Sequence, residues 1–237
     1  DDVVDGVAEL LVKLAEVALA EDATLIEVNP LIVTSDREVV ALDSKITIDG
    51  KQVKFTLVAE DDQADPKVGT TVAQKMVDAK VVGVVGHLNS GVTIPASSIY
   101  NQATIPMITG SATNPKVTEQ GYKNVFRVVA RDDQQGPAVA SYLAANNKPT
   151  LVAVIDDATA YGEGIANEVE KTLKAANIEV LPREKGTDKT TDWKAILTKL
   201  RGRNPDAVFY GGMDATGGPL LKQGRELGEG RDSLAGL

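Results

Sequence analysis

The stretch that decides the fold is GHLNSGVT at residues 86–93, followed a little later by TGSATNP at residues 109–115. Each loop comes after a short apolar run, at residues 81–85 and 105–108, which is typical of a buried strand. Both loops are therefore predicted at the carboxyl ends of strands, where open α/β sheets bind ligands. Glycine lets the backbone approach a ligand, hydroxyl side chains donate hydrogen bonds, and the start of a helix favours an anion. These features favour a carboxylate-binding site over a catalytic one.

The composition excludes several classes of function. The 237 residues suit one large or two modest domains, and the net charge of -9 argues against nucleic acid or an anionic membrane as a partner. The chain has no cysteine and a single histidine, so thiolate chemistry is excluded and a Ser-His-Asp centre or a histidine-based metal site is disfavoured. No apolar run reaches membrane-spanning length, so no membrane insertion is expected.

The hydrophobic pattern divides the chain into two parts. Residues 3–20 have the spacing of an amphipathic helix, and residues 24–33, 38–42 and 53–58 read as strands joined by tight turns at Ser35-Asp36 and Asp49-Gly50. From residue 66 onward, strand and helix alternate, which predicts an α/β fold of parallel, doubly wound sheets. Helices are expected at 66–79, 92–102, 135–146, 162–176, 191–202 and 217–227, and strands at 81–85, 105–108, 125–129, 150–155, 178–181 and 206–210.

Ordered motifs in residues 51 to about 232 resemble one family. They are VVGVVGHLNSGVTIPAS, MITGSATNPKVTEQGY, VFRVVARDDQQGPAVASYL, IDDATAYGEGIANEV and NPDAVFYGGMDATGGPLLKQGRELG. This region resembles the type I periplasmic solute-binding proteins of branched-chain amino-acid ABC transporters. The resemblance implies two lobes, a small amino-acid ligand in the cleft, no catalysis and no cofactor. The polar stretch at residues 130–133, between a strand and a helix, is the expected junction, because few contacts need to cross there. The resemblance also implies an ABC permease as a partner, provided that this chain retains the surface of the binding proteins that it resembles.

The resemblance assigns seven residues to the ligand: Ser90, Ser111, Ala112, Thr113, Tyr161, Met213 and Asp214. The first four would hold the ligand carboxylate, Tyr161 would reach from the opposite lobe, and the last two would lie near the ligand side chain. The alternative interpretation is that Ser90 and Thr113 only cap helices or turns, as such residues usually do. His87 is interpreted as a structural residue at a strand end. The acidic residue that holds the ligand ammonium in the family is expected beyond Leu237.

Residues 5 to about 50 resemble a different family. The runs DATLIEVNPLIV at 22–33 and VVALDSKI at 39–46 look like part of the ATP-grasp domain in the beta subunit of succinyl-CoA synthetase. There, the positions that match Asn29 and Asp43 hold Mg²⁺. Glu27 shares a strand face with Asn29, and a hairpin would bring Asp43 alongside, which supplies the oxygen ligands that Mg²⁺ prefers. The segment is too short for ligase activity, so a weak magnesium site is expected at most. The alternative is that Glu27, Asn29 and Asp43 are only solvent-exposed positions of a hairpin.

Two unrelated resemblances in one chain predict a chimera or engineered fusion. The predicted parts are an ATP-grasp-like segment at 1–50, a first lobe at 51–130 and a second lobe at 131–237. The helix and hairpin of the first part are expected to complete the first lobe by docking beside the strand at 53–58, because an uncovered parallel sheet exposes an edge and a face. A homodimer is a further possibility. The parent families reside on opposite sides of a membrane, so the sequence assigns no compartment. Two other functions remain open: an inactive scaffold, and weak binding of a magnesium nucleotide.

Overall fold

The computed structural model of the chain describes residues 2–20, 25–28, 31–33, 39–41, 43–48 and 51–227, and the side chains of residues 7–17 and 55–227. The chain divides into two compact units, Asp1–Glu60 and Asp61–Leu237. The first sequence-based boundary, near residue 50, thus lies inside the first unit.

Unit 1 combines one helix with short antiparallel strands. Helix α1 (Asp2–Ala20) lies against strands β1 and β3. The strands are β1 (Leu25–Val28), β2 (Leu31–Val33), β3 (Val39–Ala41), β4 (Asp43–Ile48) and β5 (Lys51–Thr56). One sheet has the order β1-β4-β5, and β2 and β3 form a separate pair. The two predicted hairpins are confirmed, since Ile32 pairs with Val40 and Ile48 pairs with Lys51.

Two expectations for unit 1 are wrong. The continuous strand predicted at 24–33 is divided into β1 and β2, which belong to different sheets. Pro30 lies between them in the sequence and has no N–H to give to a strand ladder. Residues 43–48 were not expected to form a strand, because the polar run from Asp43 to Lys45 lacks the apolar alternation, yet β4 pairs with both β1 and β5. The strand predicted at 53–58 belongs to this antiparallel sheet, so the parallel organisation begins only in unit 2.

The first lobe of unit 2 is a parallel sheet with helices packed on one face. Its elements are α2 (Pro66–Asp78), β6 (Val84–Val85), α3 (Ser90–Gln102), β7 (Met107–Thr109), α4 (Lys116–Glu119) and β8 (Val125–Arg127). The sheet order is β6-β7-β8. Helix α2 begins where predicted, since Pro66 takes its first turn and the Asp65 carboxylate accepts hydrogen bonds from the N–H groups of Lys67 and Val68. The core includes Ala73, Ala96, Tyr100, Ile105, Met107, Ala112, Val117 and Val125.

The second lobe is a parallel sheet with a hydrophobic core on each face. Its elements are α5 (Asp132–Asn146), β9 (Leu151–Asp156), α6 (Ala160–Ala175), β10 (Glu179–Val180), β11 (Glu184–Lys185), α7 (Lys194–Arg201), β12 (Ala207–Gly211) and α8 (Asp214–Glu226). Strand β9 is central and pairs with β10, β11 and β12. Val152 and Val154 of β9 pack with α5 and α6, whereas Ala153 and Ile155 pack with α7 and α8. This alternation is the period-2 pattern of a strand buried on both sides.

The predicted α/β fold with doubly wound parallel sheets is confirmed in unit 2. The short elements α4 and β11 were not predicted, because four and two residues are too few to show a hydrophobic period. The predicted lobe junction falls between β8 and α5. Among the described helices, none is both long and apolar enough to cross a membrane.

Candidate ligand-binding site

Ser90 lies at the first position of α3, directly after the loop that follows β6. Its side chain is buried, and its Oγ accepts a hydrogen bond from the Asn114 N–H at 3.2 Å. The N-cap residue Asn89 makes no side-chain hydrogen bond to the helix start. An uncapped helix start with a hydroxyl beside it suits a carboxylate, because the helix dipole and the unpaired N–H groups favour negative charge.

Thr109 joins the two hydroxyl-rich loops. Its buried hydroxyl donates to the His87 carbonyl at 2.8 Å, in the first loop. The same oxygen accepts from the Ser111 N–H at 3.2 Å and from the Ala112 N–H at 3.0 Å, in the second loop. The N–H groups of Ser111 and Ala112, two of the predicted ligand-contacting residues, are thus bonded within their own loop. Sequence reasoning placed Thr109 in the loop but did not identify this role.

His87 is held by a buried polar network behind the first loop. Its Nδ1 lies 2.6 Å from Asp62 Oδ2, and its Nε2 lies 3.1 Å from the Tyr100 hydroxyl. Burial raises the pKa of Tyr100 to about 12, so the phenol remains protonated. Both ring nitrogens are engaged, which agrees with the sequence-based interpretation of His87 as structural.

Asp132 is the residue of the site that sequence reasoning missed. Its side chain is fully buried, and neither carboxylate oxygen has a hydrogen-bond partner. The Thr113 hydroxyl is also buried and lies beside the Asp132 carboxylate, near enough to lower the pKa of Asp132, but the two groups do not meet the geometry of a hydrogen bond. The Asp132 N–H donates to the Thr113 carbonyl at 3.0 Å. Burial raises the pKa of Asp132, and the nearby Thr113 hydroxyl and the Arg127 guanidinium oppose the rise only in part. In the sequence, Asp132 looked like one of several polar residues at the lobe junction.

The predicted residues of the second lobe lie on two neighbouring loops at the carboxyl ends of β9 and β12. Tyr161 is in the first turn of α6, which Thr159 caps by accepting from the Gly162 N–H at 3.0 Å. Tyr161 is half-buried, and burial, together with the charges of Asp132 and Asp157, raises its pKa. Met213 is the N-cap residue of α8, and Asp214 follows it on the surface. The loops are close, since a Cβ at Gly162 would lie 2.5 Å from the carbonyl oxygen of Gly211.

The two lobes of unit 2 meet at the start of α6. Asn114 Nδ2 donates to the Ala160 carbonyl at 2.7 Å, and a Cβ at Gly91 would lie 3.8 Å from the Ala160 Cβ. The structure thus brings the Ser90 and Thr113 loops of the first lobe to the Asp132 and Tyr161 positions of the second. Met213 and Asp214 lie on the neighbouring loop.

The predicted magnesium ligands belong to unit 1. Glu27 in β1 pairs with Lys45 of β4, and Asp43 precedes Lys45 by two residues in the same strand. Asn29 lies outside the described residues. Within the part of the chain that the structure describes, no three His, Cys, Asp or Glu side chains form a cluster that would hold a metal ion. The magnesium site stays a prediction.

Two parallel α/β lobes that meet at hydroxyl-rich loops and a buried carboxylate are the arrangement expected of a two-lobed solute-binding protein. Residues 40–235 match the family model described as periplasmic binding protein, and the chain belongs to this family. This membership confirms the predicted fold and agrees with the prediction of a binding protein and not an enzyme.

The relatives in this family are named for amino acids. An amino acid binding protein of Pseudomonas aeruginosa is 40% identical over 182 residues, which are 76% of this chain and 48% of the relative. A Leu/Ile/Val-binding protein of Citrobacter freundii is 39% identical over 175 residues, 74% of this chain and 48% of the relative. The chain thus spans about half the length of the relatives that it matches.

Solved structures give the same fold. A leucine-binding protein of Thermotoga maritima superposes with a TM-score of 0.68 at 28% identity, over 71% of this chain and 48% of that one. A branched-chain amino acid transporter substrate-binding protein of Streptococcus pneumoniae, solved with isoleucine, gives a TM-score of 0.68 at 27% identity, over 79% and 53%. The predicted resemblance of residues 51–232 is therefore confirmed. The family match begins at residue 40, so residues 40–50, which were assigned to the ligase-like segment, belong to the binding-protein match as well.

Proposed function

We propose that the cleft between the lobes of unit 2 binds a small amino acid through its ammonium and carboxylate groups and performs no chemistry on it. The observation that carries this proposal is the Asp132 carboxylate, buried with both oxygens unbonded. Burying an ionised carboxylate without a partner is costly, and a ligand ammonium placed against it removes that cost. Asp132 thereby supplies the anchor that the sequence-based prediction placed beyond residue 237.

The two ends of an amino acid match two parts of the site. The ammonium group would lie between Asp132 and the Thr113 hydroxyl, which is buried and unbonded. The carboxylate would lie against the Ser90 hydroxyl and the uncapped start of α3. Ser90 and Thr113 are close, because the residue after Thr113 donates its N–H to Ser90 Oγ at 3.2 Å. Tyr161 closes the site from α6, and Ser111 and Ala112 shape the loop around the ligand.

The side-chain end of the ligand would face Met213 and Asp214 on the second lobe. Met213 is partly buried and offers an adaptable apolar surface, whereas Asp214 is exposed. An apolar surface beside the ammonium and carboxylate contacts favours leucine, isoleucine or valine. The names of the relatives support the same choice.

Thermal stabilisation by ligand tests the proposal. Leucine, isoleucine and valine should raise the melting temperature, because a ligand at one hundred times its Kd stabilises the folded state by about 2.7 kcal/mol. Leucinamide, which lacks the carboxylate, and 4-methylpentanoate, which lacks the ammonium group, should give no shift at the same concentration. A chain that none of the amino acids stabilises would contradict the proposal.

The substitution Asp132→Asn tests the ammonium anchor. Removing one partner of a buried charge pair costs roughly 2 to 5 kcal/mol, so leucine affinity should fall by about thirtyfold or more. Asp188→Asn is the matched control, since it removes the same charge from an exposed position. Equal affinities for the two variants in calorimetry would contradict a role for Asp132 in binding.

Two partners belong to the same proposal. We propose an ABC permease as the partner in transport, which the transporter names of the solved relatives support. The homodimer expected from the sequence stays a prediction, and size-exclusion chromatography with light scattering tests it: a monomer mass of 25.0 kDa would contradict it.

The ligase-like motif at residues 22–33 supports a second proposal, that the chain is a chimera whose first unit binds magnesium nucleotides weakly. Calorimetric titration with ATP and Mg²⁺ tests this proposal, and the absence of a heat of binding would contradict it. An inactive scaffold would show neither amino-acid nor nucleotide binding.

A further inference from the structure

Asn114 makes five hydrogen bonds that fix it between the two lobes, and one of them is the backbone bond that its carbonyl accepts from the Val117 N–H at 3.1 Å. Its N–H donates to Ser90 Oγ at 3.2 Å, and its carbonyl accepts from Arg127 Nη1 at 3.1 Å. Its side-chain Oδ1 accepts from the Lys116 N–H at 3.0 Å, and its Nδ2 donates to the Ala160 carbonyl at 2.7 Å. Four of the five bonds lie within the first lobe, and the bond to Ala160 crosses to the second.

The orientation of the Asn114 amide is determined by these partners. A backbone N–H can bond only to the amide oxygen, so the Lys116 N–H fixes Oδ1 on the first-lobe side. The NH₂ group must then face the Ala160 carbonyl, which can only accept. The first lobe thus orients the NH₂ group of Asn114. This group reaches its acceptor, the Ala160 carbonyl, only when the start of α6 lies against the first lobe.

Gly164 provides the space for this contact. A Cβ at Gly164 would lie 2.6 Å from Asp132 Oδ2 and 2.8 Å from Asn114 Nδ2. Both distances are below van der Waals contact, so any larger residue would push α6 away from the first lobe. Gly164 and the side-chain amide of Asn114 therefore lie at the same contact between the lobes.

We propose that Asn114 is a positioning residue that holds the cleft closed over the bound ligand without contacting it. This inference rests on the proposed function, since it concerns how long the amino acid is retained. The bond to Ala160 joins the two lobes, so it stabilises the arrangement in which they meet relative to one in which they are apart. Losing it should speed ligand release, because release requires opening. It should leave association almost unchanged, because Ser90, Thr113 and Asp132 remain in place.

Two substitutions separate this role from a structural one. Asn114→Ser removes the donor that reaches Ala160 but keeps a short oxygen acceptor for the Lys116 N–H. Gly164→Ala introduces the Cβ that would clash at the closure. The matched controls are Asn167→Ser on the exposed face of α6 and Gly218→Ala in α8, where a Cβ would meet nothing within 4 Å.

The experiment measures leucine association and dissociation by stopped flow, together with the distance between the lobes. The chain has no cysteine, so Lys123→Cys and Ala175→Cys can carry a dye pair for energy transfer, one in each lobe. We expect dissociation about five- to tenfold faster in Asn114→Ser, with association within about twofold and a longer distance between the dyes. Gly164→Ala should lengthen the dye distance as well, but its association should also slow, because the new Cβ crowds the Asp132 carboxylate. The controls should match the parent chain in all three readouts.

The outcomes distinguish this inference from the proposed function. If the parent chain binds leucine but the two substitutions change neither dissociation nor the dye distance, the positioning role is wrong while the function stands. If the parent chain binds no amino acid but both substitutions lengthen the dye distance, the closure role stands and the function is wrong. If Asn114→Ser slows association and leaves dissociation unchanged, Asn114 shapes the binding loop and does not hold the closure.

Discussion

The two lobes of unit 2 share a parallel sheet but differ in how that sheet is covered. In the second lobe, helices pack on both faces of β9 and β12, and Val152, Ala153, Val154 and Ile155 are all fully buried. In the first lobe, the described helices cover one face. Val85, Ile108 and Phe126 pair in register across the other face, where Val85 is 89% and Phe126 is 50% exposed. The second lobe is thus a three-layer structure, and the first has two described layers.

This difference teaches that stability depends mainly on the core of the second lobe, whereas the first lobe contributes hydrogen-bonded loops to the cleft. Apolar burial supplies most of the folding free energy, so the doubly covered sheet is the stable part of unit 2. The first lobe supplies the two hydroxyl-rich loops, and these are held by specific hydrogen bonds from Thr109 and Asn114. Substitutions in the core of the second lobe should therefore change stability, and substitutions of the residues at the cleft, which include Asp132 of the second lobe, should change affinity.

The largest expected effect is on the core of the second lobe. Leu197→Ala should lower the free energy of unfolding by roughly 2 to 5 kcal/mol, because the side chain is fully buried and its loss leaves a cavity. The matched substitution on the open face of the first lobe, Phe126→Ala, should cost less than about 1 kcal/mol. Urea denaturation measures both, and equal costs would show that the open face is packed in solution.

The next effect is on the loops of the first lobe. Thr109→Val keeps the shape of the side chain but removes the hydrogen bonds to His87, Ser111 and Ala112. A buried polar group left unbonded costs about 1 to 3 kcal/mol, so leucine affinity should fall about tenfold. Thr109→Ser keeps the hydroxyl and should retain most of the affinity. Calorimetry measures the difference; if the serine variant is as weak as the valine variant, packing of the methyl group and not the hydroxyl positions the loops.

A smaller effect concerns pH and the buried carboxylate between the lobes. Because burial raises the pKa of Asp132 in the folded state, its ionisation opposes folding at neutral pH, and this cost disappears as the pH falls toward the ordinary pKa of an aspartate, about 4. Asp132→Asn should therefore raise the stability of the ligand-free protein at pH 7, and the gain should shrink toward pH 4. Thermal melts at several pH values, with Asp188→Asn as control, test this. A gain independent of pH would show that the pKa of Asp132 is the same in the folded and unfolded chain, which would contradict the prediction.

The smallest effect is expected at a surface ion pair near the lobe junction. Arg131 Nη2 lies 2.5 Å from Glu119 Oε1 and 2.6 Å from Asp133 Oδ2. Glu119→Gln should change stability by less than about 0.5 kcal/mol, because exposed pairs are screened by water and salt. It should also leave leucine dissociation unchanged, in contrast to Asn114→Ser. Faster leucine dissociation in Glu119→Gln would show that the ion pair at the lobe junction, like Asn114, helps to hold the lobes together.

Much of unit 2 follows from sequence patterns that act over short distances. The predicted elements of residues 66–227 were found with shifted ends, because apolar runs such as Leu151 to Ile155 are unambiguous. The site loops were also identified from local residues, and the structure places Ser90, Thr113 and Tyr161 around one contact between the lobes. Met213 and Asp214 lie on the loop beside it. In unit 1, short polar strands such as β4 gave no such signal.

The sequence by itself determined the class of fold and the two hydroxyl-rich loops, since each depends on residue type and period. Only the tertiary structure decided that Asp132 is buried without a partner, that Thr109 ties the two loops together, and that Asn114 reaches Ala160 in the other lobe. The reason is physical. A polar residue at a lobe junction looks the same in a sequence whether it faces water or another lobe, and its desolvation and hydrogen bonds depend on residues distant in the chain.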